Sequence, residues 1–182
     1  MKMTKMLAAG CTLVMATLPA GAATPTDYQF KLGHWQIEAK AMQADQTHVS
    51  GSGTGHVYRN SVGVIQDDLC IDMAQSADAV GSTLRTWDPV KQLWQITWVP
   101  FGSPSGTGTA IAQAGSVIES FPGQDQHGTY VDQMRFTSHS PDHYVANLIR
   151  IYDNGGFQLD CIWCYEAKRV AAPKSTACAL VP

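Results

Sequence analysis

The feature that most constrains this chain is strict alternation of apolar and polar residues over short runs. Turn residues punctuate the runs every 8–12 positions or so. Successive strand residues point to opposite faces, so each run has one apolar and one wet side. In 35–42, Trp35, Ile37 and Ala39 oppose Gln36, Glu38 and Lys40; in 93–99, Trp94, Ile96 and Trp98 oppose Gln95 and Thr97. In 157–167, Phe157, Leu159, Cys161, Trp163 and Tyr165 oppose Gln158, Asp160, Ile162, Cys164 and Glu166. No helix pattern of useful length competes. Ten strands are expected, at 35–42, 53–59, 64–73, 83–87, 93–99, 107–112, 117–121, 129–138, 144–152 and 157–167. An antiparallel sheet with one wet face must pair with another sheet or close on itself, so the expectation from alternation is an all-β chain, a sandwich or a barrel.

The punctuation fits that reading. Asp88-Pro89 separates two strands because proline fixes φ and cannot donate to a ladder. Ser140-Pro141-Asp142, Asp153-Asn154-Gly155-Gly156 and Ala114-Gly115 read as hairpin turns. Two Gly/Ser/Thr-rich stretches, 49–56 and 101–110, lack both GxGxxG and GxxxxGK[ST] and open no helix. They read as loops and strand starts in a sheet that must bend.

The chain begins with a targeting pattern. Lys2 and Lys5 form a basic start, 6–18 is apolar, and Pro19-Ala20-Gly21-Ala22-Ala23 supplies small residues for cleavage. The domain expectation is therefore a signal peptide over 1–23, a barrel over 24–170 and an irregular tail over 171–182. A lipoprotein box at Cys11 would leave too short an apolar core. Removing Lys2 and Lys5 moves the formal charge from −3 to −5. A mildly acidic domain without a basic cluster argues against nucleic acid, and no segment beyond the leader is apolar enough to span a bilayer. The expected location is the periplasm or outside the cell. Oligomeric state is not legible.

Of the five cysteines, Cys70, Cys161, Cys164 and Cys178 follow the leader. An oxidising compartment favours disulfides, and four cysteines allow three pairings. Residues three apart on a strand face opposite ways, so parity argues against a Cys161–Cys164 bridge. Tyr165 also stands where a haem-attachment motif needs His. Cys164 with Cys178 is the expected pair.

The order of the motifs resembles a known family. Tyr28-Gln29-Phe30-Lys31-Leu32-Gly33-His34-Trp35 contains the G-x-W signature of lipocalins. Trp87-Asp88-Pro89 followed by Trp94 and Trp98, then Asp153-Asn154-Gly155-Gly156-Phe157, then Tyr165 with Lys168 and Arg169, resemble a bacterial family of calycin-like barrels of uncharacterised function. The resemblance covers about 28–169. Asn154, inserted in the hairpin, and the cysteines depart from the pattern. The resemblance implies a calycin fold, an antiparallel up-and-down β-barrel of about ten strands, in which Gly33 and Trp35 close the base and Arg169 of the last strand packs on Trp35. It implies no activity.

The chemistry in the sequence is sparse. His139 and His143 flank a tight turn and His127 sits in another loop, but H-x₃-H still requires further ligands before it holds zinc. Gly102-Ser103-Pro104-Ser105-Gly106 is not a nucleophile elbow. No cofactor motif stands out. Asp67 shares parity with Ile65, Leu69 and Ile71, and Arg85 shares parity with Trp87, so both are expected inside. A buried carboxylate requires a partner, which predicts that Asp67 and Arg85 approach one another or a ligand's polar group. With Trp94, Trp98, Tyr144 and Trp163 they form the candidate ligand-binding set for a small, largely apolar molecule. Two alternatives stand beside it. One is an isomerase or lyase with Asp67 as base and Arg85 as oxyanion stabiliser. The other is a cell-envelope interaction protein with a filled barrel.

Overall fold

The computed structural model describes residues 23–74, 79–113, 115–153 and 158–172. A short 3₁₀ turn, Gln29–Lys31, precedes ten strands: β1 Gly33–Met42, β2 His48–Arg59, β3 Ile65–Met73, β4 Ala79–Asp88, β5 Leu93–Pro100, β6 Gly106–Gln113, β7 Ser116–Asp125, β8 Gly128–Ser140, β9 His143–Tyr152 and β10 Gln158–Val170. Each strand pairs antiparallel with its chain neighbours, and β1 pairs with β10 to close the barrel. Every expected strand is present. The largest boundary differences are at the N-terminal ends of β2 and β4 and the C-terminal end of β7. β2 runs through the glycine-rich stretch, where Gly53 lies so close to β3 that a Cβ would strike the carbonyl oxygen of Cys70. Absence of a side chain there lets the sheet curl.

The base of the barrel is packed solid. The segment before β1 folds under it and buries Tyr28 and Lys31 among Trp35, Trp94, Phe136 and Tyr144. Trp35 Nε1 donates to the Lys31 carbonyl oxygen at 2.6 Å. The β1–β10 register sets Trp35 opposite Arg169, and the Arg169 guanidinium lies 4.3 Å from the Trp35 ring centroid. The same guanidinium donates to the carbonyl oxygens of Leu32 at 2.6 Å and Phe30 at 3.1 Å. Arg169 thus ties the plugging segment to the last strand. Gly33 is required beside it: its φ is +131°, and a Cβ would run into Arg169 Nη1.

The expected Cys164–Cys178 pairing is corrected by the structure. Cys164 is bonded to Cys161, with Cα atoms 5.1 Å apart. On a regular strand, residues three apart are about 10 Å apart. A bulge removes that obstacle. Leu159 opposes Arg150 and Trp163 opposes Leu148, so β10 spends four residues where β9 spends two, and Cys161 adopts φ +50°. Cys70 is also disulfide-bonded. Cys178, Phe157 and the Asn154-Gly155-Gly156 hairpin lie outside the described residues. Among the described residues, no helix is long and apolar enough to cross a membrane.

Candidate functional site

Above the plug the interior is open. A cavity of about 540 Å³ occupies the half of the barrel toward the β5–β6 and β7–β8 loops. The filled-barrel expectation therefore fails; the volume suits a small organic molecule. Its walls alternate down the strands as the sequence parity requires. Trp98 from β5, Phe121 from β7, Tyr130 and Phe136 from β8, and Trp163 and Tyr165 from β10 supply aromatic faces. Leu69, Met134 and Leu148 fill the gaps between them.

The floor is charged. Asp67 on β3 and Arg85 on β4 are diagonal neighbours, because Asp67 opposes Thr83. Arg85 Nη1 lies 3.3 Å from Asp67 Oδ2, and Arg85 Nε donates to Glu119 Oε1 on β7 at 2.6 Å. Lys31 from the plug donates to Asp67 Oδ2 at 2.7 Å, and the Tyr28 hydroxyl donates to Glu119 Oε1 at 2.9 Å. Lys31 Nζ also sits 3.8 Å from the Phe136 ring centroid, a cation–π contact. All four charged side chains are buried. Two cations face two carboxylates, so the cluster is neutral overall, which is the condition for tolerating buried charge.

The electrostatics within the cluster are asymmetric. Burial pushes the Lys31 ammonium down, and Arg85 adds to this; Asp67 and Glu119 oppose it, and the result is about 8. Burial would raise the Asp67 carboxyl, but Lys31 and Arg85 together outweigh it and hold the group below its ordinary value. Burial resists the positive charge of Arg85, yet Glu119 and Asp67 keep it firmly protonated. The Tyr28 and Tyr144 hydroxyls, pushed up by burial first, stay neutral.

A second polar group stands near the opposite end. Arg150 donates to both oxygens of Asp132, at 2.7 and 2.8 Å, and to Asp125 at 3.1 Å. The Arg150 guanidinium stacks 3.6 Å from the Tyr130 centroid. The Tyr152 hydroxyl donates to Asp125 at 2.7 Å and is the chief cause holding that carboxyl low.

The structure brings Asp67, Arg85, Trp98 and Trp163 to one cavity. Trp94 and Tyr144 do not line it. Their parity is inward, but they stand too near the base: Trp94 Nε1 donates to the Thr24 carbonyl oxygen at 3.0 Å, and Tyr144 packs edge-on against Trp35 at 4.7 Å. Lys31 and Glu119 were not expected. Glu119 had a readable signal, since it shares strand parity with the apolar Val117 and Phe121. Lys31 precedes the first strand, where parity is silent. His139 and His143 stack at 5.2 Å, but His127 lies in the β7–β8 turn at the other end of the barrel. Among the described residues no group of three or more metal-ligating side chains occurs.

Comparison with known proteins adds the fold. No family model matches the chain, and no curated protein matches it in sequence. Among solved structures it is similar to the S-type phycobiliprotein lyase CPES from Guillardia theta, with 10% identity, a TM-score of 0.57, and coverage of 80% of this chain and 92% of that one. The barrel is calycin-like. At that identity the likeness concerns architecture, and the residues of the cavity must speak for themselves.

Proposed function

We propose that this protein is an extracytoplasmic barrel that holds a small, largely apolar molecule in its interior. The observation that carries the reading is the 540 Å³ cavity, walled by aromatic and aliphatic side chains and floored by a buried charged cluster. Pockets of this kind bind through apolar area and take their orientation from a few polar groups. Arg85 and Asp67 are the orienting groups, and Trp98 and Trp163 supply contact area.

The N-terminal targeting pattern over 1–23 and the Cys161–Cys164 disulfide, which suits an oxidising environment, support that compartment. The barrel occupies 24–170. The Gly33-His34-Trp35, Trp87-Asp88-Pro89 and terminal-strand motifs support placing the chain with the bacterial calycin-like barrels. An enzymatic role for Asp67 as general base fits less well, because a carboxylate held low by two cations is a weak proton acceptor near neutral pH.

The test is native mass spectrometry of protein purified from its own host, beside a Leu148→Trp variant that fills the cavity. The expected result is a co-purifying small molecule in the wild type that is reduced in the variant. A wild type that carries nothing and takes up no apolar dye would defeat the reading.

A further inference from the structure

We infer that the interior receives an uncharged, ring-bearing molecule whose leading end carries a carbonyl-type oxygen, and that Arg85 Nη1 donates to that oxygen. The inference rests on the interior-binding reading above and narrows it to a ligand class.

The first observation is an unmet donor. Among the described residues, three buried side-chain polar atoms have no hydrogen-bond partner: Arg85 Nη1, His143 Nε2 and Asn147 Oδ1. His143 and Asn147 are on the outward face of β9, alternating with buried Tyr144 and Ala146. Arg85 alone of the three belongs to the cavity lining. Its Nε is committed to Glu119. Its Nη1 is near enough to Asp67 to balance charge, but not aligned to make a hydrogen bond. Native interiors rarely leave a charged donor unbonded, and the exceptions call for a ligand, an ion or a function. An acceptor arriving from the cavity side completes this one.

The second observation is the charge count. Lys31 and Arg85 stand against Asp67 and Glu119, and the sum is already zero. A ligand carboxylate at this depth would be a third anion to two cations, stripped of water without a net countercharge. A ligand ammonium would meet the converse. The acceptor must therefore be neutral. Near the opposite end, the carboxylate of Asp132 is already held by both prongs of Arg150, so that wall presents a satisfied group.

The third observation is the wall. Trp98, Phe121, Tyr130, Phe136, Trp163 and Tyr165 surround the space above Arg85, and aromatic side chains favour stacked or edge-on contact with another ring.

Four probes sharing one skeleton test this by isothermal titration: 2-acetylnaphthalene, 2-ethylnaphthalene, 2-naphthoate and 2-naphthylmethylammonium. The ketone is expected to bind at least about tenfold more tightly than the hydrocarbon, the factor that one hydrogen bond to a charged donor supplies. Both ions are expected to bind more weakly than the hydrocarbon. The infrared carbonyl band of the bound ketone is expected to move to lower frequency than in hexane. Arg85→Met with Glu119→Gln removes one charge of each sign, preserves neutrality, and is expected to abolish both the preference and the shift. Equal binding of ketone and hydrocarbon, preference for naphthoate, or a preference that survives the double variant would overturn the inference while leaving an apolar binding site in place. Failure of all four probes to bind the wild type would overturn the interior-binding reading as well. If the double variant does not fold, the wild-type affinity order and the infrared shift decide the matter.

Discussion

Replacing Asp67 by Asn tests whether the floor cluster is governed by its charge balance. The substitution keeps the shape but leaves Lys31 and Arg85 facing Glu119 alone, with every member buried. Breaking a buried ion pair from one side costs about 3–5 kcal/mol. At about 3 °C per kcal/mol for a domain of this size, the melting temperature should fall by roughly 12 °C. The informative step is a second substitution, Lys31→Met. Alone it should cost much less than Asp67→Asn: it leaves Asp67 and Glu119 facing Arg85, but burial already resists the Lys31 charge and methionine keeps most of the apolar stem. Added to Asp67→Asn it removes the surplus cation and leaves the Arg85–Glu119 pair neutral, so it should restore most of the lost stability. Urea unfolding at pH 7 of the four proteins gives the coupling energy, expected at about 3 kcal/mol. A double variant less stable than Asp67→Asn would refute the reasoning, since the cluster would then depend on Lys31 as a local contact rather than on its sum of charges.

The same cluster sets a pH dependence. The folded Asp67 carboxyl titrates below its unfolded value of about 3.8, so its contribution is fully present above that value and is lost as pH falls through the lower folded value. Lys31 has the opposite history: the folded ammonium gives up its proton near 8 and the unfolded one near 10.5. The unfolded chain therefore binds more protons between those values, and stability should rise across that interval by up to about 3 kcal/mol, a rise absent in Lys31→Met by urea unfolding. Trp35→Ala should cost about 3–5 kcal/mol, and Gly33→Ala should also lower the melting temperature, because its φ and Arg169 both exclude a Cβ; an unchanged melt for either would remove the plug. Cys161→Ser with Cys164→Ser opens a loop of only four residues and should cost at most about 2 kcal/mol, with a change in Trp163 emission as the bulge relaxes; a larger loss would mean the bridge holds more than its own bulge.

Parity carried far in this chain. It placed all ten strands and set Asp67, Arg85, Trp98 and Trp163 inside; the cover of Arg169 on Trp35 was legible only through the resemblance to lipocalins. Parity failed where distance along the barrel axis mattered, because alternation tells which face a side chain takes and not how deep it lies. Trp94 and Tyr144 are inward and yet part of the packed base. It failed again at Cys161 and Cys164, since a bulge of two residues leaves the alternation on either side of it intact and so makes no mark in the pattern.

A period of two, broken by turns, was enough to specify antiparallel strands with one apolar side, and the pairing of β1 with β10 closed them into a wall. The alternation is local, written in each run of five to ten residues. The neutral cluster of Lys31, Asp67, Arg85 and Glu119 is not local. Its members come from the plug, two adjacent strands and a third strand three places farther around the wall, and they meet only once the barrel has closed. The cavity above them belongs to the tertiary structure for the same reason: it is the volume that the plug and the side chains leave unfilled once the ring has closed.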